Sequence, residues 1–499
     1  MIKIGSRREL FIDEILIDRL DNVSFKLHEP IPAGIAVKYD LPHESSIAFY
    51  TTVIKDNDLF RMYYRGTNLA FNPTKFPDDH LLPSGTFYAE STDGANWTKP
   101  DLGIVEVRGS KHNNAIFPSI PVYPFGPFVD ANPTVHPEQR YKAVARHVGG
   151  SLRHLMAYAS SDGINWNLMQ EDPIIMNTLD NNFDSQNVAF WSEAEGCYVT
   201  YMRYMLNGIR SISRAVSSDF FNWSDQTPMM YSDTGTTMPS QHLYTNQTQA
   251  YFRAPHIYIA MPARIFFGKR LLSEQQAVLY KEEVEPISGG AGDVSDGVFM
   301  TSRAGETTYN FQFRESYVRP GIGSNNWTSR SNYPAAGIVQ TGPDEMSLYV
   351  HRQYALKSAH LQRMTLRLDG FVSLNAKYDQ GEIITKTLTF KGRYLEINYS
   401  TSAAGYIRVE LQDVSGKTIP GYSLEDSPYI IGDEISRKVG WDIAAVREQD
   451  TDSESAYNAG PVIRESPSDI SHLADVPVRI RFVVKDADLY SLRFCDSDE

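Results

Sequence analysis

Three carboxylates, Glu44, Asp130 and Asp184, stand in short polar segments beside apolar, alternating runs: His43-Glu44-Ser-Ser, Phe128-Val-Asp130-Ala-Asn132-Pro133 and Phe183-Asp184-Ser-Gln186-Asn187. Carboxylates gathered from distant parts of a chain suit the cleavage of a glycosidic bond. One carboxylic acid protonates the leaving oxygen, a carboxylate acts as base or nucleophile, and a third acid can tune a neighbour's pKa. Burial beside other negative charges raises the acid toward neutrality. Two further segments, Ser240-Gln241-His242-Leu-Tyr244 and Ser331-Asn332-Tyr333-Pro334, add His242, Tyr244 and Asn332 as substrate-binding candidates, with Asn187 from the third segment and Arg253 beside the next Ala-Pro. Asp13, Asp296 and Glu345 read as structural: an early strand, a hairpin turn and a strand edge.

What must position these groups is a repeated hairpin. Ser-Thr-Asp-Gly-Ala-Asn-Trp at 91–97 returns as Ser-Ser-Asp-Gly-Ile-Asn-Trp at 160–166 and as Ser-Ser-Asp-Phe-Phe-Asn-Trp at 217–223. Each copy follows a strand-like run, and in the first two Asp-Gly supplies a positive-φ turn with the Trp anchoring the return strand. Fainter copies at 301–309 and 366–374 extend the series at intervals of roughly 55 to 85 residues, which predicts five blades of a β-propeller. In such a ring the innermost strand of each blade lines a central funnel, so polar groups at those strands converge although far apart in sequence.

The composition fits this fold class. Of 499 residues, 12% are aromatic, with 29 Tyr and 24 Phe, which favours strands over helices. Only 271–284 has helical character, inside what would be an insertion in the fourth blade. A boundary near 375–381 divides a propeller over 1–375 from a C-terminal β-sandwich over 376–499, whose strands are 382–390, 394–400, 406–413, 478–484 and 489–494. Between them 448–455 is an acidic loop.

A formal net charge of −14 argues against nucleic acid and for a carbohydrate or neutral small molecule as partner. Cys197 and Cys495 form neither a disulfide framework nor a metal-site spacing, so no metal and no cofactor is expected. No stretch reaches the length of a membrane span, and the first ten residues lack an apolar leader core, so the chain as given is expected in the cytoplasm unless a leader has been trimmed.

The five hairpins, the three carboxylates and the appended sandwich together resemble the five-bladed propeller glycosidases of glycoside hydrolase families 43 and 32. Leu10-Phe-Ile-Asp-Glu14, Asp130-Ala-Asn-Pro133 and Asn332-Tyr-Pro-Ala335 resemble more closely a group of bacterial glycosyl-hydrolase-like proteins. The invertase-like Trp-Met-Asn-Asp-Pro, Arg-Asp-Pro and Glu-Cys motifs are absent, so roles follow from position alone. Asp184 takes the general acid, Glu44 the base or nucleophile, and Asp130 the modulator that also accepts a sugar hydroxyl. Two other classes remain: a carbohydrate-binding protein without turnover, and a polysaccharide lyase using His242, Tyr244 and Arg253 on a uronate.

Overall fold

The computed structural model describes residues 1–41, 43–44, 46–67, 84–107, 109–117, 124–146, 154–177, 182–269, 271–273, 275, 293–441 and 467–496. The chain divides into two units, Glu29–Leu366 and a second made of Met1–His28 with Arg367–Glu499. The larger is a five-bladed β-propeller and the smaller a β-sandwich. The acidic loop at 448–455 lies outside the described residues, as does the helix expected over 271–284 apart from 271–273 and 275.

Three blades are four-stranded meanders: Phe49–Asp56 to Ala115–Phe117, Phe125–Val129 to Asn167–Leu168, and Val188–Ser192 to Thr227–Pro228. The fourth is built on Gln249–Tyr251, Ala254–Ala260 and Met300–Arg303, and the fifth on Tyr333–Pro334, Val339–Gln340, Glu345–Arg352 and His360–Arg367. The outermost strand of the fifth blade comes from the other end of the propeller sequence, because Ile31–Lys38 pairs antiparallel with His360–Arg367. Apolar clusters fill the spaces between successive blades, for example Tyr63, Tyr88, Phe125 and Ala143 between the first and second. A parallel bridge, Thr52 to Ala336, joins the innermost strands of the first and fifth blades.

The repeated heptad forms the same turn three times. Asp93, Asp162 and Asp219 each accept two backbone N–H groups and an Asn side chain; burial, the largest single influence at Asp162 and Asp219, raises the carboxyl, but these bonds together outweigh it and hold all three below the usual range. Each Trp indole donates to the carbonyl at the positive-φ position: Trp97 to Gly94 (3.1 Å), Trp166 to Gly163 (3.0 Å) and Trp223 to Phe220 (3.0 Å). Phe220 takes φ 70° where its counterparts are glycine, held there by the same bonds.

The fifth copy departs from the expectation. The strand after it, Val372–Ala376, pairs with Val23–Leu27 and with Leu489 to Ala487 in the sandwich, so it closes no blade. The first 28 residues likewise leave the expected propeller span: Ile2 to Gly5 pairs with Leu388–Phe390, and Ile17–Asp21 with Gly381–Thr385. Ring closure therefore belongs to Ile31–Lys38.

In the sandwich, Tyr394–Gln412 and Arg479–Cys495 pair along nearly their whole length, with the register shifting between Asn398 and Tyr399 and again between Thr401 and Tyr406. Arg8 is buried there, donating to Glu396 (2.6 Å) and to the Ser491 hydroxyl (3.1 Å). His28 packs against Tyr490 and shares a 2.8 Å hydrogen bond with Ser373; burial pushes its imidazole down to about 4, with Asp488 opposing. Between the ordinary value near 6.5 and that lowered value the unfolded chain holds a proton that the folded chain does not. Stability is therefore complete above about pH 6.5 and falls by about 3 kcal/mol as the pH drops toward 4. Denaturant unfolding of the full chain at about pH 7 and about pH 4.5 checks this, with His28→Gln expected to narrow the difference between the two conditions.

Candidate functional site

The innermost strands run in one sense, so their starts gather at one end of the ring, the upper rim, and their ends at the lower rim. Two buried glutamines tie the five starts together. Gln186 donates to Thr52 Oγ1 (2.7 Å) and reaches the carbonyls of Phe125 (3.3 Å) and Tyr50 (3.4 Å). Gln247 donates to Gln186 Oε1 (2.9 Å) and to the Pro334 carbonyl (3.1 Å), which adds the fourth and fifth blades. These amides form the floor beneath the upper rim. Tyr50, Phe183, Gln247, Arg330 and Asn332 all take positive φ, between 50° and 65°, at these strand starts. Such conformations cost about 1–3 kcal/mol each and gather where surrounding structure holds a site in place.

Asp184 sits on this rim, with 27% of its side chain exposed, between two buried guanidiniums: Arg146 Nη1 at 2.5 Å and Arg203 Nη1 at 3.5 Å. Asn187 is buried beneath it, donating to the Phe183 and Ser185 carbonyls (3.2 and 3.0 Å) and accepting from the Arg203 N–H (3.1 Å). It positions the Asp184 loop instead of meeting a ligand. Arg203 and Arg210 lie over the Tyr244 ring at 5.3 and 5.4 Å, and Tyr244 packs on Tyr333 with centroids 5.3 Å apart. Burial, the largest influence, raises the Tyr244 phenol, but Arg330 and Arg203 together bring it below the ordinary tyrosine value. His242, edge-on to Phe267 and beside Arg210, is lowered by burial and then by Arg210, and its Nδ1 accepts from the Arg210 backbone N–H (3.4 Å).

The fourth blade delivers a carboxylate that the sequence reading passed over. Its second strand continues past Pro262 into Ala263–Phe266, and Val294–Gly297 returns past Val298 into its third strand, forming with His242–Leu243 a small sheet beyond the blade. The pairing of Gln249 with Ile259 places this extension at the upper rim. It carries Asp296, clamped by Arg264 Nε and Nη2 at 2.8 and 2.7 Å, and Asp293. Burial raises the Asp293 carboxyl, opposed by Arg330 and Arg210. Asp184 acts electrostatically on Arg210 as well, so the two carboxylates share one guanidinium as a charged neighbour. A Gly-Gly-Ala-Gly run immediately before Asp293, ahead of a strand, is the signal that could have marked it.

Other expected groups are elsewhere. Asp130 follows its innermost strand, so it lies at the lower rim, accepting from Lys142 (2.5 Å), Tyr198 (2.8 Å) and the Asn132 N–H (2.9 Å). Its partner Lys142 and the Asp184 partner Arg146 stand at opposite ends of Tyr141–Arg146. Four residues of strand, about 13 Å, separate the Cα atoms of those two partners, and the two carboxylates are held at different rims. Glu44 is fully buried between the first and fifth blades, accepting from Lys99 (2.8 Å), the Leu41 N–H (3.0 Å) and the Tyr64 hydroxyl. It serves as the counter-ion of Lys99. Asn332 is buried too, donating to the Ser295 and Asn326 carbonyls (3.0 and 2.8 Å) and accepting from Arg352 (2.5 Å). Arg253 occupies the hairpin after Gln249–Tyr251 at the lower rim, next to a cavity of about 570 Å³ lined by Tyr251, Phe252, Asn57 and Trp191. The triplet His242, Tyr244 and Arg253 is thus split between two rims.

Among the described residues no group of three His, Cys, Asp or Glu side chains is placed to hold a metal ion, and no helix is long and apolar enough to cross a membrane. Strand order and rim together define an all-β protein whose propeller presents a carboxylate, arginine and tyrosine site. No family model and no curated protein matches the chain. Solved structures do. One named "Glycoside hydrolase" is 11% identical over 68% of this chain and 92% of its own, at a TM-score of 0.44. A glycosyl hydrolase from Bacteroides ovatus is 13% identical over 72% and 93%, at 0.38. A structure from the GH130 family of mannoside phosphorylases, described as containing hydrolases of β-1,2 mannosidic linkages in Candida mannan, is 13% identical over 72% and 96%, at 0.40.

Proposed function

We propose that the chain is a carbohydrate-active enzyme that cleaves a glycosidic bond at the upper rim, with Asp293 as proton donor and Asp184 as base or nucleophile. The observation that carries this reading is the unequal pair of upper-rim carboxylates that share Arg210 as a charged neighbour. Asp184 accepts from two guanidiniums, which suits a proton acceptor, whereas burial raises Asp293, which suits a donor. This reverses the role first expected for Asp184 and replaces Glu44 and Asp130 by Asp293. Tyr244 and Tyr333 supply the aromatic faces against which a pyranose ring stacks.

A panel of aryl glycosides and oligosaccharides, assayed for new reducing ends and for an ultraviolet-absorbing unsaturated product, tests the reaction. Reducing ends without the unsaturated product are expected. The basic limb of the kcat/KM profile should lie above the ordinary aspartate value and vanish in Asp293→Asn, since a donor works only while protonated. Binding without turnover across the panel would move the chain to the carbohydrate-binding class, and the unsaturated product would move it to the lyases.

A further inference from the structure

We propose that the upper rim takes sugars bearing a fixed anionic substituent, a carboxylate or a sulfate ester, and that Arg210 receives that anion with Arg330 as its neighbour. The sugar ring in this inference rests on the carbohydrate reading above; the anion rests on the arginines.

The chain is acidic overall at −14, yet its cations gather here. Among the described residues, Arg146, Arg203, Arg210 and Arg330 converge on Asp184 and Tyr244, and the carboxylates among them are Asp184 and Asp293. The nearby Arg264 is matched by Asp296 and adds no net charge. Two guanidiniums are therefore in excess in a half-buried, aromatic-walled site, where an unmatched charge is costly. Arg146 and Arg203 are committed to Asp184. Arg210 instead stacks between Tyr244 and Phe267, at 5.4 and 5.2 Å, and its Nε is buried without a hydrogen-bond partner. The Nε atoms of Arg203 and Arg330 and the hydroxyl of Tyr333 share that condition. A planar fork held by two rings with an unused N–H is arranged to accept an oxyanion in bidentate fashion. Burial, followed by the repulsion of Arg203, lowers Arg210 from its ordinary value, and a bound anion relieves both. Phe267 is 50% exposed, so the outer wall of this stack faces solvent.

The test is calorimetric titration of the full chain with glucuronate, galacturonate and mannuronate trisaccharides, their carboxyl-reduced neutral counterparts, sulfated trisaccharides and inorganic phosphate. At least one acidic trisaccharide is expected to bind about tenfold or more tightly than its neutral counterpart, as one charge-assisted contact allows. That preference should weaken as salt rises and disappear in Arg210→Gln. Arg210→Lys, which keeps the charge but loses the fork, should retain the salt dependence at reduced affinity, so a loss in the Gln variant is separable from misfolding. Whether the carboxylated or sulfated sugars bind more tightly identifies the substituent. Equal affinity for acidic and reduced sugars would overturn the anion while leaving the carbohydrate reading intact. Binding of inorganic phosphate alone, or of none of these compounds, would overturn the proposal itself.

Discussion

Asp184→Asn is expected to lower kcat by about 10²–10⁴-fold on whichever glycoside the chain turns over, the range for loss of a positioned acid–base group. The substitution keeps the shape of the side chain and one oxygen that can still accept from Arg146 and Arg203, so KM should move far less than kcat. Removing the charge also leaves two buried guanidiniums without their counter-ion, a change that costs about 3–5 kcal/mol when a buried pair is broken outright. Thermal unfolding therefore has to accompany the kinetics. A folded variant with wild-type kcat would remove Asp184 from the reaction, and the upper rim would lose its acceptor.

The second large effect is on the ring itself. Gly337 has φ +108° and lies beside the seam where Val53 N–H donates to the Ala336 carbonyl (2.8 Å) and Ala336 N–H to the Thr51 carbonyl (2.9 Å). A Cβ at this position would overlap the Val53 carbonyl oxygen, which is backbone and has nowhere to go. Gly337→Ala adds a disfavoured backbone conformation, roughly 1–3 kcal/mol, to overpacking of similar size. About 5 kcal/mol is expected, a large share of a domain's total stability. A fall in the denaturation midpoint with the slope unchanged would report this directly. A variant as stable as the parent would mean that the first and fifth blades are not joined along this seam.

What the sequence made legible depended on how local the interactions are. The heptad around Asp93, Asp162 and Asp219 encodes its own turn through hydrogen bonds within four residues, so the first three meanders follow from it. Strand sense at the rim is not local. Asp184 precedes its innermost strand and Asp130 follows one, and that difference alone sends them to opposite ends of the ring. The polar turn at Glu44 resembles a funnel segment, yet its side chain folds back toward Lys99, a partner far along the chain that alternation does not reveal. Arg203 and Arg210 sit at the ends of Cys197–Leu206 and Ile209–Ser217, where they read as ordinary strand residues until the blades are assembled. The strands within 2–27 alternate like any blade strand; only their partners assign them to the sandwich.

That last assignment orders the birth of the protein. On the ribosome, Ile2 to Leu27 is made before the whole of Glu29–Leu366, while its partners in Val372–Ala376, Gly381–Thr385 and Leu388–Phe390 come after it. Blades one to four have every strand available as they emerge, whereas Ile31–Lys38 and everything before it must wait through the synthesis of the ring. The alternating strands before the ring spend that interval as unpaired edges, the state most open to wrong partners. Their charges at Asp18, Arg19, Asp21 and Lys26 protect a segment that is early to appear and late to settle.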